Sequence, residues 1–193
     1  MAIPKIDQKY TYSDYLGWPD DERWELISGV AYAMSPAPNT EHQRILMKLS
    51  GELYLHLKGK PCEVFPAPFD VRLPKEKGDF NDDIINTVVQ PDISVVCDPS
   101  KIDKKGCKGA PDLVVEILSE STAGKDQGEK LELYEKHGVN EYWVVDPWSK
   151  IIVVHINTGS MFERPSSYTL GQTVEIKAIP GMKVHLNDLF GEI

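Results

Sequence analysis

The stretch "APDLVVEILSES", residues 110–121, decides how the chain is read. Leu113, Val114, Val115, Ile117 and Leu118 form a continuous apolar run, which predicts a buried strand over 111–119. Glu116 stands in the middle of it. An ionised carboxylate there is costly unless something pairs with it. Strand side chains alternate between faces. Asp112, Val114, Glu116 and Leu118 therefore share one face, and Leu113, Val115, Ile117 and Ser119 the other.

Working outward, "TVVQPDISVVC" (87–97) predicts a second strand, on which Asp92 follows Pro91 and shares a face with Ser94 and Val96. If the two strands are neighbours, Asp92 and Glu116 project toward one point. Two carboxylates held together repel unless a proton or a cation is shared. Mg²⁺ and Mn²⁺ suit such an oxygen site, with one or two carboxylates, waters and substrate phosphate. A further strand is predicted over 62–73. Before it, "TEHQRILMKLSGELYLHLK" (40–58) predicts a helix capped by Thr40, with Leu46, Leu49, Leu53 and Leu57 on one stripe. After it, residues 123–137 predict a helix that ends at Gly138. Strands follow over 139–147 and 150–156.

At the N-terminal end, residues 10–18 open a short helix capped near Ser13, and 23–35 form a hairpin turning at Ser28-Gly29. The tail reads as short strands and a last helical turn. The acidic segment 74–86 is the longest gap. This order predicts an α/β fold, with a mixed central sheet flanked by helices.

The 193 residues suit a single domain over 1–193, and 41% hydrophobic and 26% charged residues are ordinary for a globular protein. No stretch approaches the ~20 apolar residues of a membrane span, and no secretory signal is expected. Cys62, Cys97 and Cys107 are odd in number and widely spaced, without CxxC. Neither a disulfide framework nor a zinc knuckle is expected, and the reducing cytoplasm is the expected location. A net charge of −9 excludes wide, passive nucleic-acid binding, but not an enzyme that meets phosphate with a bound cation. "SKIDKKGCK" (100–108) and "EKGDFNDD" (76–83) read as solvated loops of opposite charge.

"QPDISVV", "PDLVVEILS" and "GEKLELYEKHGVNEYWVVDP" resemble the Uma-type restriction endonuclease family, of the PD-(D/E)xK nuclease superfamily. So do "RWELISGVAYAMSPAP", "EHQRILMKLSGEL" and "IPGMKVHLNDLF", so the resemblance covers nearly the whole chain. It implies a PD-(D/E)xK restriction-endonuclease-like core carrying the N-terminal hairpin and the C-terminal strands. It implies a metal-dependent nuclease, acting on DNA as a homodimer with Mg²⁺ or Mn²⁺. Asp92 takes the place of the motif aspartate and Glu116 of the second acid, and the Ile117 carbonyl is a further metal ligand. The motif lysine should be residue 118, where this chain has Leu118. Lys130, on the following helix, is the expected substitute, with Lys125 as the alternative. Glu25, in "WELISG", matches a recurring acid of the first hairpin and is a candidate ligand or base.

His42 and Gln90 are candidate substrate contacts. Asp70 and Asp112 read as structural, and Tyr142, Trp143 and Trp148 as core or interface. Two other readings stay open. One is a binding or assembly module that kept the fold and lost the chemistry. The other is a carboxylate-pair hydrolase such as a glycosidase, which needs no metal. The apolar strand "KIIVVHI" (150–156) is expected near a sheet edge, where it invites pairing or cover. Without metal, Glu116 is expected to be strained against Asp92, so that Glu116→Gln melts no lower than wild type.

Overall fold

The structure, a computed structural model, describes residues 8–19, 22–34, 39–76, 78–119 and 128–191. In chain order come α1 (Tyr12–Tyr15), β1 (Trp24–Ile27), β2 (Val30–Ala33), α2 (Thr40–Leu57), β3 (Glu63–Pro66) and β4 (Val71–Arg72). Next are β5 (Val88–Val89), β6 (Ile93–Val96), β7 (Ile102–Asp103), β8 (Gly106–Lys108), β9 (Leu113–Ile117) and α3 (Glu129–His137). The chain closes with β10 (Glu141–Asp146), β11 (Ile151–Ile156), β12 (Ser166–Tyr168), β13 (Thr173–Glu175), β14 (Lys183–His185) and α4 (Leu186–Phe190).

Among the described residues the central sheet runs β12-β11-β10-β9-β6-β3. β9 and β10 are parallel and the remaining pairs antiparallel, so the sheet is mixed, as expected. Parallel neighbours need a crossover connection, and α3 lies on it. The period-two alternation of β9 sorts the two cores. Leu113, Val115 and Ile117 pack with Ile45, Leu49, Leu53 and Leu57 of α2. Val114 and Leu118 pack with Leu133 and Tyr134 of α3.

A second sheet, ordered β2-β1-β5-β4-β8-β7, was not expected from the sequence. It arises because two predicted strands each divide. The 62–73 segment breaks at Pro66-Ala67-Pro68, leaving β3 in the central sheet and β4 in the second. The 87–97 segment breaks at Gln90-Pro91-Asp92, leaving β5 and β6 in different sheets. Proline has no N–H to give a ladder, so each strand ends there.

Other expectations change locally. The cap of α2 is Asn39, whose side chain accepts the His42 N–H, and that of α1 is Thr11, in a capping box with Asp14. Gly138 ends α3 in the left-handed region, at φ 77°, as expected. Cys62 and Cys97 form a disulfide, contrary to the reading of the cysteine spacing. The pairing of β3 with β6, in register Glu63↔Val96, places these distant cysteines side by side. β11 is not an open edge, because β12 pairs with it. β12 supplies the expected cover over residues 152–154.

The second sheet depends on one close approach. Gly106 has φ +122°, and a Cβ there would stand 2.2 Å from the Asp70 carbonyl oxygen. That carbonyl accepts the Cys107 N–H at 2.8 Å, so it cannot move aside. Gly106→Ala is expected to lower stability by roughly 1–3 kcal/mol from backbone strain alone. Urea denaturation measures this, and an unchanged midpoint would refute the packing described.

Candidate active site

Glu116 points to the α3 side of the central sheet and is 4% exposed. Its partner is Lys130, whose Nζ donates to Glu116 Oε1 at 2.7 Å. The same ammonium lies 3.1 Å from Glu25 Oε1. Tyr134 donates its hydroxyl to Glu116 Oε1 at 2.8 Å. Lys130, Leu133 and Tyr134 recur at helical spacing, so one face of α3 delivers all three to the sheet. Glu25 arrives from β1 of the second sheet, on the same strand face as Ile27. Burial and the Glu116 charge hold the Tyr134 phenol well above its ordinary range, so it stays a donor.

The expected strain between Glu116 and Asp92 is therefore not what the fold holds. Lys130 compensates Glu116 directly. Asp92 is satisfied separately: its Oδ2 accepts the Ile117 N–H at 2.7 Å and lies 3.1 Å from His42 Nε2. Register still brings the two acids together. β6 and β9 pair Ile93 with Val115, and one further antiparallel step sets Asp92 opposite Glu116.

His42 is buried, and its Nδ1 has no hydrogen-bond partner. A hydrogen on Nε2 would be donated to the Asp92 carboxylate. Its ring faces Asp92 rather than an open surface. Gln90 is also committed internally. Its N–H donates to Glu25 Oε1 at 3.0 Å, and its Nε2 donates to Asp70 Oδ1 at 2.9 Å and to the Tyr15 hydroxyl at 3.0 Å. Asp70 also accepts the Tyr12 and Tyr15 hydroxyls at 2.9 and 3.1 Å. Burial and the Asp70 charge raise both phenols above their usual range.

The structure thus brings together Glu25, Gln90, Asp92, Glu116, Ile117, Lys130 and His42. Lys125 lies outside the described residues. Tyr134 was missed by sequence reasoning, although its i+4 spacing from Lys130 was visible. The Asp70–Tyr12–Tyr15 cluster was missed because its members come from distant segments. Leu118, in the motif lysine's position, packs in the core beside α3.

A cation between two buried carboxylates is costly to remove, because their charges then stay buried without it. Lys130→Met is expected to lose roughly 3–5 kcal/mol of stability, measured by urea denaturation in chelator. Glu116→Gln should lose less, since Lys130 keeps Glu25. A Lys130→Met midpoint equal to wild type would show that the ion pairs do not form in solution.

The Uma2 family, described as "Putative restriction endonuclease", matches residues 12–187. An uncharacterised protein of Synechocystis sp., slr1290, is 30% identical over 178 residues, covering 89% of this chain and 86% of that protein. The crystal structure of a protein from Anabaena variabilis, described as a "putative nuclease belonging to DUF820", aligns with a TM-score of 0.71 at 21% identity. It covers 94% of this chain and 97% of that one, a likeness of fold. Motifs, fold and family match agree: this chain belongs to the Uma2 restriction endonuclease family and has a restriction-endonuclease-like α/β fold.

Proposed function

We propose that this protein is a metal-dependent nuclease that hydrolyses phosphodiester bonds in DNA. The observation that carries this reading is the 2.7 Å contact between Lys130 Nζ and Glu116 Oε1. The superfamily motif needs an ammonium beside its second acid. The Lys130 ammonium on α3 stands beside Glu116 where residue 118 is a leucine, which supports the catalytic reading over a non-catalytic module.

Among the described residues, no group of three or more His, Cys, Asp or Glu could hold a metal. A hard cation does not need one. Mg²⁺ takes one or two carboxylates and completes its shell with waters and substrate phosphate. Asp92 and Glu116, opposed across β6 and β9, are an oxygen donor set of this kind. The Ile117 carbonyl is the expected third ligand. When bound, such a cation lowers the pKa of a water and offsets charge on the phosphoryl oxygen.

The remaining roles belong to the chain. The Ile117 N–H and His42 hold Asp92 Oδ2, so the carboxylate has one orientation. Lys130 and Tyr134 hold Glu116 in the same way. Glu25 holds the Lys130 ammonium from its other side, and the ammonium steadies negative charge that develops on phosphate or orients the attacking water. A homodimer, as the family resemblance implies, would give each DNA strand its own site.

Calorimetry with Mn²⁺ is expected to show a binding site that Asp92→Ala abolishes. Lys130→Ala should keep Mn²⁺ binding but lose plasmid cleavage, with circular dichroism confirming that the variant is folded at the assay temperature. An unchanged Asp92→Ala isotherm would remove Asp92 from the metal site. Wild type that binds no Mn²⁺ would favour the metal-free hydrolase or the binding module.

A further inference from the structure

The site carries three carboxylates, Glu25, Asp92 and Glu116, and its ammonium is already shared by two of them. A phosphodiester chain approaching it meets net negative charge in a protein of net charge −9. The proposed metal offsets this charge at the scissile phosphate only; a flanking phosphate needs a positive group of its own, and Arg23 has the geometry for it.

Arg23 directly precedes β1, and its carbonyl accepts the Met34 N–H at 2.8 Å, so the hairpin ladder extends to it. Strand alternation puts Arg23 on the face that carries Glu25. Its side chain is exposed but not loose. Nε and Nη2 both donate to Gln90 Oε1, at 3.0 and 2.7 Å. Gln90 cannot turn away, because its Nε2 is held by Tyr15 and Asp70 and the residue is buried. Among the described residues, Nη1 makes no hydrogen bond. The partner is also informative. Arg72 and Arg44 rest on the carboxylates of Asp103 and Glu41, whereas Arg23 rests on a neutral amide. An amide aims a guanidinium without cancelling its charge. That leaves a fixed donor edge suited to phosphate, which arginine binds in a fork.

We propose that Arg23 is a substrate-binding residue that takes a nucleic-acid phosphate flanking the one cleaved, and that Gln90 positions it. Two residues along a strand span roughly 7 Å, which separates Arg23 from the Glu25 end of the site. The inference rests on the nuclease reading and adds a contact that the metal and lysine assignments do not require.

Fluorescence anisotropy of a labelled DNA duplex, with Ca²⁺ in place of Mg²⁺ or Mn²⁺ so that the site holds a cation and the duplex stays uncleaved, tests it across a salt series. One lost phosphate contact changes the slope of log K against log[salt] by about 0.9, which is about fivefold to tenfold in Kd near 0.1 M salt. Arg23→Gln is expected to show both changes while melting with wild type, since its side chain is exposed. Arg23→Lys should restore the slope but only part of the affinity. Gln90→Leu should keep the slope and weaken Kd, because the charge remains but is no longer aimed. If wild type binds and Arg23→Gln matches it in Kd and slope, the inference is overturned while the nuclease reading stands. If Gln90→Leu keeps the wild-type Kd, Gln90 has no positioning role. Wild type that binds no duplex would overturn the DNA reading itself, and this inference with it.

Discussion

An ammonium held between two buried carboxylates ties a helix and two sheets of this protein together. Lys130, Glu25 and Glu116 come from α3, β1 and β9. Each alone would be an intolerable charge in a packed interior. Together, with the Tyr134 hydroxyl and the Gln90 N–H, they satisfy one another. The cluster therefore fixes how the second sheet and α3 sit against the central sheet. Displacing one member leaves the others buried and unpaired, which gives the site a single arrangement.

Asp92 shows how a chain break can serve a site. Pro91 interrupts the ladder between β5 and β6, and the residues around it leave regular strand geometry. There, the Gln90 backbone reaches Glu25, while Asp92 accepts from Ile117 and approaches His42. A continuous strand would have spent the Gln90 and Ile117 N–H groups on ladder hydrogen bonds. The break also sends β5 to one sheet and β6 to the other, so the candidate active site lies where the two sheets part. Arg23 and Gln90 extend the same polar chain from this junction toward solvent.

The central sheet was legible in the sequence because its signals are local. The apolar run around Glu116, the Leu49–Leu53–Leu57 stripe and the glycine after α3 each report on a few neighbouring residues. The second sheet was not legible. Its strands are as short as two residues, as in Val71–Arg72 and Val88–Val89, too brief for a period-two pattern to register. The Cys62–Cys97 disulfide was missed for a related reason: its ends are 35 residues apart and meet only through strand pairing.

For the candidate site, the residues that the fold gathers could be named from the chain alone. A carboxylate inside an apolar strand demands a partner, and a proline-aspartate pair on a neighbouring strand marks another polar position. The motif with Leu118 in the lysine's place pointed to a lysine on the following helix. How those charges are shared follows from packing. It gave Glu116 to Lys130 rather than leaving it strained against Asp92, turned His42 onto Asp92, and made Gln90 the holder of Arg23. Pairing of this kind depends on distances between elements far apart in the chain. A sequence states that a buried charge must be met; only packed coordinates select which partner meets it.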